Sequence, residues 1–291
     1  APSPRAPRSD AGRATLWMLG AIVSFSAMAI AGRELSAELD TFEIMAYRSL
    51  IGLPVIAAAV LLTGGIGQLA TRRPGRHAVR NVIHFTAQNA WFFGVATIPL
   101  AQLVAIEFTN PIWIALFAPL ILGERLTRAG AIAVALGFLG VLIVARPGLS
   151  PLGPGHAAAL VAAVGFALTN ITTRLIGRDD TTVCLLFWMT LSQAAMGLVC
   201  AAPGGITLFS WEMSPWVLFV GLCGLTAHLA LTRALFLAPA SVVAPMEFLR
   251  LPALAAAGAL LYGEPLEVAV FLGAALIVAG NIVNIRDKER A

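Results

Sequence analysis

The feature that most constrains the fold is a repeat within the chain, in which residues 101–144 recur as residues 241–284. Charged residues, prolines and glycines match at one constant offset. The matches are Glu107-Phe108 with Glu247-Phe248, Gly123-Glu124 with Gly263-Glu264, Gly140 with Gly280, Pro99 with Pro239 and Arg146 with Arg286. Apolar matches would mean little in a chain that is 59% apolar. Matches of these rarer residue types indicate an internal duplication.

The composition indicates that the chain is surrounded by a lipid bilayer. Charged residues make up 12% of the 291 residues, whereas a soluble domain carries roughly 25%. The net charge of +4 is small, and no Lys/Arg run is interleaved with aromatic residues, so we expect no nucleic-acid partner. The three cysteines (Cys184, Cys200 and Cys223) have apolar neighbours, which favours core positions over a disulfide framework or a zinc site. We expect no metal and no cofactor.

Ten apolar runs are long enough to cross a membrane, which takes about 20 residues. They cover residues 14–32, 41–63, 78–98, 100–122, 128–146, 155–175, 181–202, 215–236, 240–262 and 267–285. The connections are short and rich in Gly, Pro or charge, so neighbouring helices are expected to pack as hairpins. Residues 1–13, rich in Pro and Arg, are predicted to be a disordered cytoplasmic tail.

The repeat predicts an inverted architecture. The same offset holds from the first span to the last, so each repeat contains five helices, at 14–146 and 154–286. Because five is odd, the second repeat enters the membrane from the opposite side. We therefore predict an all-α integral membrane protein with ten transmembrane helices in two inverted five-helix repeats, an arrangement found in many secondary transporters.

The basic residues predict the orientation. With the N-terminus inside, cytoplasmic segments hold fifteen Arg and Lys residues, outside segments hold Arg33 and Arg146, and Arg48 and Arg250 lie within spans. Both termini are therefore expected in the cytoplasm. The preference for Arg over Lys suggests a GC-rich bacterial genome, and hence an inner membrane.

Four charged residues fall within the predicted spans, where such residues usually face a cavity or a partner: Arg48, Glu107, Glu247 and Arg250. Glu107 shares a helix face with Asn110, as Glu247 does with Arg250. The two carboxylates suit two gates of a carrier at mirrored depths. Alternatively they are structural, with Glu247 paired to Arg250 and Glu107 paired to Asn110 or Arg48. Pro111 and Pro252 predict kinks beside both acids.

A polar and aromatic stripe on the third span carries candidate substrate contacts. Asn81, His84, Gln88 and Trp91 recur at spacings of three and four, and the repeat partner of Gln88 is His228. Further candidates are Phe92 on the third span, Phe166 and Asn170 on the sixth and Trp188 on the seventh. Such groups can instead simply bond across helices.

Two further features have structural interpretations. Spans five and ten carry Ala133, Gly140, Gly273 and Gly280, which favour close helix packing or a homodimer interface. Glu124 and Glu264 each precede another helix, and we expect them to cap its free N–H groups.

At these residues the chain resembles the drug/metabolite transporter superfamily, in its ten-helix EamA-type branch. The likeness covers both repeats: an acid and a proline in one span, then Gly-Glu (GERLT at 123–127, GEPLE at 263–267), then a Gly-rich last span. Arg48 falls where the family's second span often carries arginine, whereas its repeat partner is Trp188. Within the family, overall similarity is greatest to aromatic amino-acid exporters of the YddG type.

The expected function is export of small amphipathic metabolites, most simply aromatic or apolar amino acids, by alternating access through a central cavity between the repeats. The alternative is proton-coupled efflux of cationic compounds, with Glu107 or Glu247 exchanging the proton. A channel and an intramembrane enzyme are remoter alternatives, and no G-x-S-x-G or H-E-x-x-H motif occurs in the spans. The expected partners are a small-molecule substrate and the bilayer, with the chain acting as a monomer or a homodimer.

Overall fold

The computed structural model describes residues 11–122, 127–146, 152–176, 180–237 and 246–290. Within these ranges, the α-helices are α1 (Ala11–Leu35), α2 (Thr41–Thr63), α3 (Pro74–Thr97), α4 (Leu100–Glu107), α5 (Asn110–Leu122), α6 (Arg128–Ala145), α7 (Pro154–Ile176), α8 (Thr182–Ala201), α9 (Ser214–Leu237), α10 (Arg250–Tyr262) and α11 (Val268–Arg290). Three short 3-10 turns lie in the connections, at 66–69, 202–204 and 211–213.

The predicted spans are present as helices, and their bounds differ from prediction in three places. α1 begins at Ala11, so residues 11–13 of the predicted tail are helical, and residues 1–10 lie outside the described part. The fourth span is broken at Phe108-Thr109 into α4 and α5. In the ninth span, only residues 246–262 are described, and α10 begins at Arg250.

Seven helical segments of the described chain are long and apolar enough to cross a membrane, and residues 250–262 and 268–283 form shorter apolar helices. α3, although 24 residues long, is not among them. Its polar residues are concentrated on one stripe, which includes Arg80, Asn81, His84 and Gln88. A helix of this composition needs a polar interior to face, because lipid offers no hydrogen-bond partner.

The repeat is visible in the helix bounds themselves. α5 and α10 begin at equivalent positions of the two repeats, and so do α3 and α9, and α6 and α11. The packing follows the same symmetry. α1 packs along α9 as α7 packs along α3, while α2 packs against its own equivalent α8, and α6 against α11. A two-fold operation that exchanges the halves therefore preserves the pattern of neighbours.

The halves are antiparallel. The end of α1 meets the start of α4, where Arg33 Nη2 donates to the Ile98 carbonyl at 2.6 Å. At the same end of the molecule, the start of α7 supplies His156, whose Nε2 lies 3.0 Å from Gln102 Oε1. α1 thus ends where its equivalent α7 begins, which is the inversion that an odd number of spans requires.

The small residues of α6 and α11 let these two helices cross within one chain. A Cβ added to Gly140 would lie 2.6 Å from the Gly273 carbonyl oxygen, and one added to Gly280 would lie 3.0 Å from that of Ala133. All four residues are buried. Close packing is therefore their role, and the alternative of a homodimer interface built on them is wrong because α6 and α11 already cover these faces.

Candidate functional site

A cavity of about 470 Å³ lies between the two halves. Its middle is lined by α3, by the break between α4 and α5, by α7 and by residues 247–250, and it reaches Asp180, Thr181 and Thr182 at one end of the molecule. We call this the open end. The predicted residues that line the cavity are His84, Gln88, Trp91, Glu107, Asn110, Phe166, Asn170, His228, Glu247 and Arg250.

Helical spacing explains how one stripe reaches the cavity. His84, Gln88 and Trp91 follow one another at four and three residues along α3 and therefore share a face. Phe166, Thr169, Asn170 and Thr173 do the same on α7, which packs along α3. The two helices approach closely because a Cβ on Gly165 would lie only 2.6 Å from that of Ala87.

The broken fourth and ninth spans meet at the centre of the molecule. The repeat partners Phe108 and Phe248 contact each other edge to face, with ring centroids 5.0 Å apart. Asn281 of α11 donates from Nδ2 to the Phe108 carbonyl at 3.0 Å. Pro111 has no N–H and lies in the first turn of α5, where proline is tolerated. The predicted kink is thus a full break in the helix.

Glu107 binds Arg250 across the two repeats. Arg250 Nη1 and Nη2 lie 2.9 and 3.2 Å from the two carboxylate oxygens, and the Trp91 indole N–H donates to the same carboxylate at 2.8 Å. The guanidinium also lies over the Phe25 ring, 4.9 Å from its centroid. The predicted structural pairs, Glu247 with Arg250 and Glu107 with Asn110 or Arg48, are therefore wrong. Crossing of the broken spans brings the acid of one repeat to the base of the other.

The symmetry is broken at the next position. The repeat partner of Arg250 is Asn110, which donates to the Ala163 carbonyl at 3.2 Å and accepts from Asn170 at 3.3 Å. Glu247 lines the cavity, and no ion pair involves it among the described residues. Of the two equivalent carboxylates, Glu107 is therefore the one that pairs with an arginine within the described part of the chain.

Arg48 and Trp188 do not line the cavity. Arg48 is buried among α2, α8 and α9 and donates to Gln193 Oε1 at 3.3 Å, while Gln193 Nε2 donates to His84 Nδ1 at 2.6 Å. Arg48 thus reaches the cavity only through Gln193 and His84. Trp188 donates its indole N–H to the Leu69 carbonyl at 3.0 Å. Phe92 is buried against α1, where a Cβ on Gly32 would meet its ring.

At the opposite end, polar contacts join the two repeats, and none of their residues lines the cavity. We call this the closed end. Arg33 pairs with Glu264 at 3.0 Å, Arg146 pairs with Glu267, and Gln102 Nε2 donates to Glu267 at 3.4 Å. Further contacts join Tyr262 to Glu34, the Thr207 N–H to Glu43, and Ser210 to Glu38.

Glu264 caps a helix, but a different one from that predicted. Its carboxylate accepts from the Leu100 N–H at 2.8 Å, at the start of α4 in the other repeat. The expected cap on the following helix, α11, was wrong because the side chain folds back over Gly258. Glu124 lies outside the described residues.

One cluster has the residue types of a metal site. His77, Asp180 and Cys184 place their ligating atoms within 4.8 Å of one another at the open end. His77 Nε2 already lies 2.7 Å from Asp180 Oδ2, which also accepts from Thr71 Oγ1 at 2.7 Å. Burial raises the pKa of Asp180, but the bonds from His77 and Thr71 outweigh it and hold this pKa below its ordinary value. The first turns of α3 and α8 and Arg73 add positive charge, so this geometry suits a structural network rather than a cation site.

Two of the cavity-lining residues that sequence reasoning missed are the polar residues Arg80 and Asn281. Arg80 was counted only as a cytoplasmic charge, although it continues the α3 stripe four residues before His84. Asn281 was passed over in an apolar span. An asparagine buried to 1% exposure in such a span is itself a signal, since polar groups in membrane helices usually have a partner.

The family model for the EamA-like transporter family matches this chain twice, at residues 12–146 and 153–286. The chain belongs to the EamA-like transporter family. A riboflavin transporter of Rhizobium johnstonii is 30% identical over 94% of this chain and 91% of its own length. An S-adenosylmethionine uptake transporter of Rickettsia bellii is 24% identical over 94% of each chain.

Solved structures agree with the fold of this EamA-like protein. One crystal structure superposes with a TM-score of 0.65 at 22% identity, covering 96% of this chain and 98% of that one. This likeness concerns the fold alone. Its family membership shows that the protein is a multi-pass membrane transporter with the two-repeat architecture of that family. Its bacterial relatives point to the inner membrane. The relatives named here do not support the predicted closer likeness to YddG-type exporters.

Proposed function

We propose that this EamA-like protein is a secondary carrier that moves a small amphipathic metabolite by alternating access. One observation carries the proposal: a cavity between the repeats reaches residues 180–182 at one end of the molecule, whereas none of the described residues that join the repeats at the other end, among them the pairs Arg33–Glu264 and Arg146–Glu267, lines it. Substrate would enter at the open end, and rocking of the repeats would exchange the two ends. With the predicted orientation, the open end is cytoplasmic.

The cavity lining supports a substrate that combines a ring with polar groups. Aromatic rings of Phe25, Trp91, Phe108 and Phe166 provide apolar faces, and Gln88, Asn110 and Asn170 provide neutral hydrogen-bonding groups. Riboflavin and S-adenosylmethionine, for which relatives are named, have this composition, and so do the aromatic amino acids expected from the sequence. These three form the substrate panel. Direction follows the substrate gradient, so export and uptake use the same site.

Counterflow into proteoliposomes tests the proposal. Proteoliposomes that contain the purified protein and are preloaded with unlabelled compound should transiently accumulate labelled riboflavin, S-adenosylmethionine or tryptophan. Protein-free liposomes should not. A matched variant, Phe166→Ala, removes one ring of the lining while α7 keeps its packing, and should reduce the rate. A protein that moves none of the panel would contradict the proposal, and single-channel currents would show a channel instead.

A second candidate, proton-coupled efflux of cationic compounds, rests on Glu247. This carboxylate lines the cavity, and within the described part of the chain the one arginine near it is held by Glu107. On this proposal Glu247→Gln abolishes transport that depends on a pH gradient while counterflow without a gradient persists. If Glu247→Gln retains gradient-driven accumulation of a cationic dye, coupling through this residue is excluded.

A further inference from the structure

We infer that the cavity contains an anion-binding subsite at its open end, formed by Arg80 and the N-terminal turn of α8, and that it selects substrates with a carboxylate or phosphate group. This inference rests on the proposed transport function. It adds that the substrate carries a negatively charged group, which the family description and the names of the relatives do not state.

Arg80 is a buried cation, and the described residues provide no acid to pair with it. Its residue is 5% exposed and it lines the cavity, yet no carboxylate lies within 4.0 Å of it among the described residues. Neutral groups orient it: Nε donates to Thr173 Oγ1 at 3.0 Å, and Nη1 donates to Asn81 Oδ1 at 3.0 Å. Nη2 makes no hydrogen bond within the described part. A buried arginine held in place by neutral partners keeps its charge available for an anion.

The start of α8 lines the same cavity as Arg80. Thr181 is the N-cap and accepts from the Cys184 N–H at 3.1 Å, so the side chain closes one of the free donors of the first turn. The N–H groups of Thr182 and Val183 have no acceptor inside the helix. Thr181 and Thr182 both line the cavity with Arg80. A helix N-terminus carries partial positive charge, and together with a fixed guanidinium in the same cavity it favours a bound anion.

Asp180 lines the same cavity, and its charge opposes an anion. Its carboxylate is occupied by His77 at 2.7 Å and Thr71 at 2.7 Å, and Arg73 offsets its charge. The same contacts fix the loop that starts α8. Asp180 therefore lowers the affinity of the subsite for anions without abolishing binding. Removing its charge should raise that affinity.

The subsite divides the substrate panel. Tryptophan and S-adenosylmethionine carry a carboxylate and riboflavin 5′-phosphate carries a phosphate, whereas riboflavin carries neither. Each of the three anionic compounds has a counterpart without the anionic group. These are tryptamine for tryptophan, decarboxylated S-adenosylmethionine for S-adenosylmethionine and riboflavin for riboflavin 5′-phosphate. Because a hydrogen bond to a charged group contributes about 1.5–3 kcal/mol, loss of Arg80 should weaken the anionic member by roughly ten- to a hundredfold.

The test measures thermal stabilisation of the purified protein by all six compounds, in the wild type and in Arg80→Gln, Arg80→Lys and Arg76→Gln. In the wild type, the anionic member of at least one pair should bind more tightly. Arg80→Gln should abolish that difference and leave the counterpart unchanged, and Arg80→Lys should keep part of it. Arg76, one turn earlier on α3, is exposed, and its one side-chain hydrogen bond to a described residue is to the Leu175 carbonyl, so Arg76→Gln should change nothing. Asp180→Asn should strengthen the anionic member.

Equal loss of both members in Arg80→Gln would show a structural role and overturn the inference. Absence of any preference for the anionic members in the wild type, or binding of none of the six compounds, would overturn it as well. Counterflow by the wild type would persist if only the inference fails. The proposed function fails separately, if the wild type moves none of the panel. The carboxylate and phosphate pairs distinguish which anion is preferred.

Discussion

At the scale of single residues, Glu107 and Arg250 show what chain position cannot decide. Both are charged residues inside predicted spans, and the sequence correctly marks them as needing partners. The nearest candidates along the chain, Asn110 for Glu107 and Glu247 for Arg250, are not the partners found. Arg250 crosses to the other repeat, where Trp91 completes the hydrogen bonding of the carboxylate. Both side chains are largely buried (6% and 15% exposed). Removing one partner of such a pair therefore costs more folding free energy than replacing both partners with apolar residues.

Glu107→Gln should therefore destabilise the protein, because it leaves the Arg250 charge buried without an acid. We expect a loss of about 3–5 kcal/mol, read as a lower melting temperature in detergent. Glu107→Gln combined with Arg250→Met should lose less than the sum of the single changes. The matched control is Glu247→Gln, the same substitution at the repeat partner without an ion pair, which should leave the melting temperature nearly unchanged. Additive single effects would show that the two side chains do not interact energetically.

At the scale of elements, the starts of three helices of the first repeat recur in the second, but the equivalent elements have different tasks. α3 carries the polar stripe, while its equivalent α9 contributes mainly His228 and Leu231 to the cavity. α6 and α11 form a pair that crosses at glycines, where backbone meets backbone. Membrane helices associate through such small residues because lipid gives no hydrophobic drive between them.

Gly140→Ala should destabilise this crossing by about 1–3 kcal/mol, since the added methyl group would lie 2.6 Å from the Gly273 carbonyl oxygen. Gly273→Ala should act alike, because its Cβ would lie 2.5 Å from the Gly140 oxygen. Gly153→Ala is the control, as nothing lies within 4 Å of its added Cβ. Melting temperatures of the three variants decide the matter. Equal melting temperatures for Gly140→Ala and Gly153→Ala would mean that α6 and α11 accommodate the added methyl group without loss of stability.

At the scale of the whole molecule, the two repeats are equivalent in fold and unequal in charge. If transport exchanges the conformations of the repeats, each contact is replaced by its symmetry mate. The Arg250–Glu107 contact would then become Asn110–Glu247, and the ion pair would be lost. Arg250 therefore stabilises the state seen here over the reversed one. A few kcal/mol suffices to set which state predominates.

Exchanging the two residues, as Asn110→Arg with Arg250→Asn, should move the preference to the reversed state. The readout is a cysteine introduced as Thr182→Cys at the open end, in a protein with Cys184, Cys200 and Cys223 replaced. In this background, a bulky maleimide should label the cysteine rapidly with the original pair and several-fold more slowly after the exchange. Asn110→Gln serves as the neutral control and should label as the background does. Unchanged labelling after the exchange would show that the ion pair does not select the state.

The sequence alone determined the bilayer as solvent, the ten spans, the duplication and its inversion. Each follows from composition, from the length of apolar runs or from an odd number of spans, and none needs a distance. It also predicted ten of the residues that line the cavity, because residues three and four apart share a helix face. Tertiary structure alone decided that Arg250 serves Glu107, that Glu264 caps α4, that Trp188 bonds Leu69 and that Arg80 faces the cavity. These depend on how helices far apart in the chain cross, and a spacing rule describes one helix at a time.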